Sequence, residues 1–143
     1  MILTPLQIFE TFRRAGIPVA TSIALTAIAL RESAGNPDVV NDNAATGDQS
    51  YGLLQINMRD SAVASLVKAI LQPPLSGNIS LLIPAVNAAA GKLLWGGNNA
   101  DLNVAWYIDR GPAKPGAYDY KGEYEKHLPA AVAAALASPL GAA

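Results

Sequence analysis

The stretch from Ile17 to Leu30 limits the fold of this chain more than any other. After Gly16 and Pro18 it is nearly continuous alanine, isoleucine, leucine and threonine until Arg31-Glu32-Ser33, and Gly35-Asn36-Pro37 then stops it. A helix from Thr21 or Ser22 to Ser33 carries Ile23, Leu25, Ala27, Ile28, Ala29 and Leu30 on all its faces, so it belongs at the buried centre of a domain. Glu32 is the only acidic residue between Glu10 and Asp38. Ala24, Ile28 and Glu32 follow at i, i+4 and i+8 and share one face. The last turn also presents the negative end of the helix dipole. Desolvation and the dipole act in the same direction, so the carboxyl is expected to hold its proton to higher pH. Such a group suits general-acid cleavage of a glycosidic bond. The alternative is a solvated helix-end glutamate paired with Arg31 or a C-terminal lysine.

The remaining composition excludes several functions. At 143 residues the chain is read as one domain, residues 1–143, with room for a real core. Hydrophobic residues make up 51% and charged residues 15%, which argues against disorder, and the dominance of alanine favours a mostly helical fold. Without cysteine there is no disulfide framework and no thiolate metal site, and with one histidine, His127, there is no multi-histidine site. No metal and no cofactor is expected. A net charge of −1 with scattered Lys and Arg leaves no electrostatic footprint for nucleic acid. Arg13-Arg14 before the apolar run imitates a signal peptide. However, Ile2, Leu6, Ile8, Phe9 and Phe12 already form a helical face upstream of it. No stretch reaches the roughly 20 apolar residues of a membrane-spanning helix, so no membrane insertion is expected.

Punctuation divides the rest. Thr4 and Pro5 open a first helix over 4–15, closed at Gly16-Ile17-Pro18. Residues 34–57 are turn-rich and end in Tyr51-Gly52-Leu53-Leu54-Gln55-Ile56-Asn57, a short strand or a helix start. Asp60 or Ser61 caps a third helix to about Leu71, closed by Pro73-Pro74, and Ile83 to Trp95 makes a fourth. Asp101 caps a fifth, to about Arg110. Residues 123–137 form one or two closing helices with a restart at Pro129, and Ser138 to Ala143 is expected to fray.

Glu32-Ser33-x-Gly35-Asn36-Pro37, then Asn41, then Ser50-x-Gly52-Leu53-Leu54-Gln55-Ile56-Asn57 resembles the soluble lytic transglycosylases and their lysozyme relatives. The helix Asn87-x-x-x-Gly91-Lys92-Leu93-Leu94 fits the same pattern more loosely. In the family's Ala-x-Tyr-Asn-x-Gly turn this chain has Ala105-Trp106-Tyr107-Ile108-Asp109-Arg110-Gly111, so either Tyr107 or Asp109 completes the site. The resemblance spans about residues 20–112. It implies an α+β, predominantly α-helical, lysozyme-like fold with a small β-like loop region beside the active-site groove. It also implies Glu32 as the catalytic acid, with Ser33, Ser50, Gln55, Asn57 and Tyr107 as substrate-binding residues. Gly52 would let the backbone approach a sugar, and Gln55 would offer donors and an acceptor to it. Trp106, Tyr118, Tyr120 and Tyr124 either line the groove or pack the closing helix.

The implied substrate is the peptidoglycan glycan strand, cut between N-acetylmuramic acid and N-acetylglucosamine by a monomer. Hydrolysis usually employs a second carboxylate. In animal-type lysozymes an aspartate directly precedes the Tyr-Gly pair, and this chain has Ser50 there, with Asp48 two residues earlier. Ser50 favours a lytic transglycosylase giving 1,6-anhydro ends, and Asp48 keeps a hydrolytic lysozyme in view. A non-catalytic peptidoglycan-binding virion module is the rival from another class. Action on the bacterial cell wall without a signal sequence suggests a phage protein, carried by the virion or released at lysis.

Overall fold

The computed structural model describes residues 1–43, 45, 47–71, 77–95 and 120–141. Helix α1 (Pro5–Arg14) begins with a reciprocal cap. The Gln7 amide donates to Thr4 Oγ1 over 3.2 Å, and the Thr4 amide donates to Gln7 Oε1 over 2.9 Å. Ile8, Phe9 and Phe12 are its buried face.

Helix α2 (Val19–Ser33) starts earlier than the Thr21-Ser22 pair suggests, directly after Pro18. Those hydroxyl residues do not cap it. Ser22 lies inside, donating to Ile17 O over 3.1 Å, and Thr26 donates to Ser22 O over 2.7 Å. Both are fully buried, and carbonyls of the same chain segment accept their hydroxyls. Ala24 to Ala29 are all buried, so α2 is the central helix, as its apolar circumference requires.

Strands β1 (Val40–Asn43), β2 (Asp48–Tyr51) and β3 (Ile56–Asn57) form an antiparallel sheet in that order. The Tyr51–Asn57 stretch is therefore strand, turn and strand. Helix α3 (Ser61–Val67) is capped by Asp60, whose carboxylate accepts from the Ala62 and Val63 amides at 3.0 and 3.2 Å. It stops short of Leu71 and gives way to turns. A 3-10 turn over Asn78–Leu82 leads into α4 (Pro84–Trp95). The expected Pro73-Pro74 stop and the expected helix from Asp101 to Arg110 lie outside the described residues.

Helix α5 (Tyr120–Ala137) runs through Pro129 without restarting. Pro129 is exposed, so the carbonyl that loses its donor there sits on the solvent side of the helix. The expected fraying beyond Ser138 is also corrected. A 3-10 turn over Pro139–Gly141 docks on α1: Leu140 packs on the Phe9 cluster, Ser138 Oγ donates to Glu10 Oε2 over 2.8 Å, and Arg13 Nε donates to Leu140 O over 2.8 Å. The core joins α1, α2, α3, α4 and α5 to Tyr51, Leu53, Leu54 and Ile56 of the sheet region. This is the α+β, mainly helical architecture that the resemblance implies. No described helix is long and apolar enough to cross a membrane.

Candidate functional site

Glu32 stands in the last turn of α2 and is half-buried. The helix ends two residues later at Ala34, in the left-handed region at φ 52°, with its amide on Leu30 O at 3.1 Å. A residue other than glycine in that conformation costs about 1 kcal/mol, so the turn that presents Glu32 is held by its surroundings. Gly35 is the anchor. The Leu3 amide donates to its carbonyl over 2.8 Å, and a Cβ on Gly35 would lie 2.6 Å from Leu3 O. Arg31, beside the acid, pairs with Glu123 of α5 at 3.8 Å, and Lys126 approaches the same carboxylate at 3.3 Å.

The sheet divides into two faces. Asn41, Ser50 and Asn57 stand opposite one another across the three strands, and Val40, Tyr51 and Ile56 form the next row. Alternation therefore sends the first row to one face and the second to the other. Tyr51 and Ile56 are buried in the core. The opposite face also carries Asn43 and Asp48, which are register partners.

The side chains expected to bind substrate turn out to be engaged within the protein. Ser33 is 5% exposed and its hydroxyl donates to Ala29 O over 3.0 Å, one turn back in its own helix. Ser50 is equally buried and donates a short hydrogen bond to Asp48 Oδ1. Gln55 uses both amide hydrogens internally, on Val39 O at 3.1 Å and Gly52 O at 3.0 Å, while its oxygen accepts from Asn41 Nδ2 at 2.8 Å. Only one lone pair of that amide is left for a ligand. Gln55 also occupies the left-handed region at φ 51°, and these three bonds hold it there. Asn57 Oδ1 accepts from the Gln49 and Arg59 amides, each at 3.1 Å, and its Nδ2 donates to Gly47 O over 3.3 Å. Together these side chains fix the loop that leaves Glu32 to the sheet turn, and Gly52 N adds a bond to Val39 O at 2.8 Å.

Gly52 has a different job from the one expected. A Cβ there would lie 2.5 Å from Leu81 O and 2.6 Å from Asn87 Nδ2, and φ is 74°. The space is filled by protein rather than kept for a sugar. Its occupant, Asn87, is fully buried on α4 and makes three bonds: it accepts from Leu54 N at 3.0 Å and donates to Tyr51 O and Leu81 O at 2.9 Å each. One turn on, Gly91 lets Leu54 approach, since a Cβ would sit 2.4 Å from Leu54 Cδ1. The Tyr51–Asn57 block and the Asn87-x-x-x-Gly91 helix are thus two halves of one lock. The signal for it was available: a lone asparagine among alanines and valine, four residues before a glycine.

Tyr107 and Asp109 lie outside the described residues, as do Trp106 and Tyr118. Tyr124 packs in the core, where burial raises its phenol above the ordinary tyrosine range. His127 is half-buried on α5, remote in sequence from the sheet. Among the described residues no group of three or more His, Cys, Asp or Glu is placed to hold a metal ion.

Among the described residues the candidate site thus has Glu32 at the end of a buried helix, joined by a braced loop to a sheet whose outer face carries Asn41, Asp48, Ser50 and Asn57. A family model for a lysozyme-like domain matches residues 10–100. Searches of curated proteins and of solved structures return no significant match. The match takes in α2, Glu32, the sheet and the Asn87–Gly91 lock, which is well over half of the chain. The chain belongs to the lysozyme-like domain family, and this membership supports a general peptidoglycan-cleaving function.

Proposed function

We propose that this protein is a peptidoglycan lytic transglycosylase in which Glu32 serves in turn as acid and base. The observation that carries the reading is the state of β2 around Ser50. A serine stands at the position where a hydrolytic lysozyme of the animal type has its second carboxylate, and the nearest acid, Asp48, receives that serine's hydroxyl. In the proposed reaction Glu32 gives its proton to the bridging oxygen as the bond from that oxygen to C1 of N-acetylmuramic acid breaks. The resulting carboxylate takes the proton from the sugar's own C6 hydroxyl as its oxygen closes onto C1. The product is a 1,6-anhydro end, Glu32 regains its proton, and no water is consumed. One carboxylate suffices because the sugar supplies the nucleophile.

Hydrolysis is the second reading, favoured by Asp48 and Ser50 sharing the polar face of the sheet. Digestion of purified sacculi followed by mass spectrometry of the muropeptides separates the two. Anhydro ends are expected, and reducing ends alone would overturn the transglycosylase in favour of the hydrolase. Glu32→Gln is expected to lower the rate of release about a thousandfold or more, since an amide can neither give nor take the proton. Full activity in that variant would remove Glu32 from its role. Binding to sacculi with no release at all would instead establish a non-catalytic wall-binding module. Delivery by a phage, in the virion or at lysis, is part of the proposal, and a lysis gene cassette or tail genes beside the coding sequence would test it.

A further inference from the structure

A cleft of about 760 Å³ opens between the end of α1 and the outer face of α4. It is not at Glu32. Thr11, Arg14 and Ala15 reach it from the end of α1 that leads into α2, whereas Leu3, just before the start of α1, is the part bonded to Gly35 near Glu32. Its wall is apolar, formed by Ile83, Pro84, Ala85 and Ala89, with Ile83 44% exposed. Thr11, Ala15 and two cations, Arg14 and Lys92, complete the lining. Arg14 is a solvent-facing side chain at 68% exposure, and among the described residues its ion-pair partner is Glu10 at 4.0 Å. Among the described residues Lys92 has neither a hydrogen-bond nor an ion-pair partner, and its ammonium lies over Gly16, where a Cβ would be only 2.8 Å from Nζ.

We propose that this cleft is a docking site for the peptide stem of peptidoglycan, remote from the bond that is cut. The identity of the occupant rests on the wall being the substrate, as proposed above, and on the match between the two surfaces. A stem is a short peptide whose alanyl methyl groups suit a shallow wall of Ala, Pro and Ile. Its free carboxylates, on the D-glutamate and on the terminal D-alanine, suit two cations that have at most one weak acidic neighbour. An exposed pair at 4.0 Å such as Arg14–Glu10 is weak enough for a ligand carboxylate to displace. A glycan strand seated at Glu32 carries a stem on every second sugar, so stems other than those at the cleaved bond are available to a cleft outside the catalytic site. The site would hold cross-linked wall in place while the strand is cut.

The test separates this site from the function reading by measuring binding apart from cleavage. The synthetic stem peptide L-Ala-γ-D-Glu-L-Lys-D-Ala is titrated into the full chain by NMR, following the amides of Ala85, Ala89 and Lys92. Saturable shifts confined to those residues and weakened by added salt are expected, whether or not the protein cleaves sacculi. Arg14→Gln with Lys92→Gln is expected to weaken the peptide about tenfold, from two exposed ion pairs lost. It should raise KM on intact sacculi while leaving kcat, and cleavage of amidase-stripped glycan, unchanged. Ala89→Phe, which fills the cleft and keeps both charges, should block the peptide in the same way. Absence of shifts in the native chain, or peptide affinity unchanged in both variants, would overturn the site. Peptide binding by a chain that leaves sacculi uncut would keep it and overturn the enzyme reading alone.

Discussion

The helical body and the small sheet region hold themselves together by opposite means. In α1, α2 and α5 the buried surface is alanine, leucine, isoleucine, phenylalanine and Tyr124, and the buried hydroxyls of Ser22, Thr26 and Ser33 are satisfied by nearby carbonyls. Between Val39 and Asn57 the structure depends on side-chain amides: Asn41, Gln55 and Asn57 bond to backbone or to one another, and Asn87 reaches in from α4. A short sheet of three strands cannot stand alone, so here polar clamps add to the packing of Tyr51, Leu53, Leu54 and Ile56 on the helical core. The polar residues that look like substrate contacts in this part of the sequence are therefore, in large part, its framework.

The sharpest way to break that contrast is to remove one clamp and one core side chain and compare them. Asn87→Ala strands Leu54 N, Tyr51 O and Leu81 O in a dry site and is expected to cost about 3–5 kcal/mol in denaturant unfolding. Leu25→Ala, a fully buried aliphatic truncation in α2, is expected to cost a similar 2–5 kcal/mol, as a cavity. A loss below about 1 kcal/mol for Asn87→Ala would mean that the sheet is not held by this lock.

Gly52→Ala comes next, at about 2–4 kcal/mol, from a positive φ and a methyl driven against Leu81 O and Asn87. Thermal melting reads it directly, and a neutral result would show that the turn relaxes. Gln55→Ala is expected to cost about 1–2 kcal/mol, because three side-chain bonds are lost: Val39 O and Gly52 O each keep only a backbone donor, and Asn41 Nδ2 loses its acceptor. A glutamine that served only to grip sugar would leave Tm unchanged and raise KM, so measuring both quantities assigns its role.

The smallest effect belongs to the helical side. Burial raises the Tyr124 pKa, so as pH climbs through about 10 the unfolded chain releases this proton before the folded one does. The unfolded state then binds fewer protons and stability falls with rising pH. Melts between about pH 8 and pH 11 should show a shallower decline in Tyr124→Phe than in the native chain.

Most of the helical body was legible because helices announce themselves locally. Thr4-Pro5 and Asp60 cap where their chemistry says they should, and an all-apolar circumference over residues 23–30 admits no place for α2 except the centre. The errors arose where a residue has more than one legitimate partner. Ser22 looks like a cap and is a buried side chain bonded to a nearby carbonyl. Pro129 looks like a break and lies on a solvent face where the missing donor is tolerated. The tail beyond Ser138 looks frayed and is held by Glu10 and Arg13, more than a hundred residues away in sequence.

The candidate site divides in the same way. The sequence alone determined that an acid would sit at the end of a buried helix, before a Gly-Asn-Pro turn and a Gly-Leu-Leu-Gln-Ile block, because periodicity and turn chemistry act over a few residues. Only the tertiary structure decided what the polar residues of that block do. An asparagine or glutamine amide bonds a backbone carbonyl as readily as a sugar hydroxyl, and the choice depends on which chain segment arrives beside it. Here Gln55 meets Val39 and Asn41, Asn57 meets Gly47 and Gln49, and Asn87 of α4 occupies the space Gly52 leaves open, so the block becomes part of the scaffold beside Glu32.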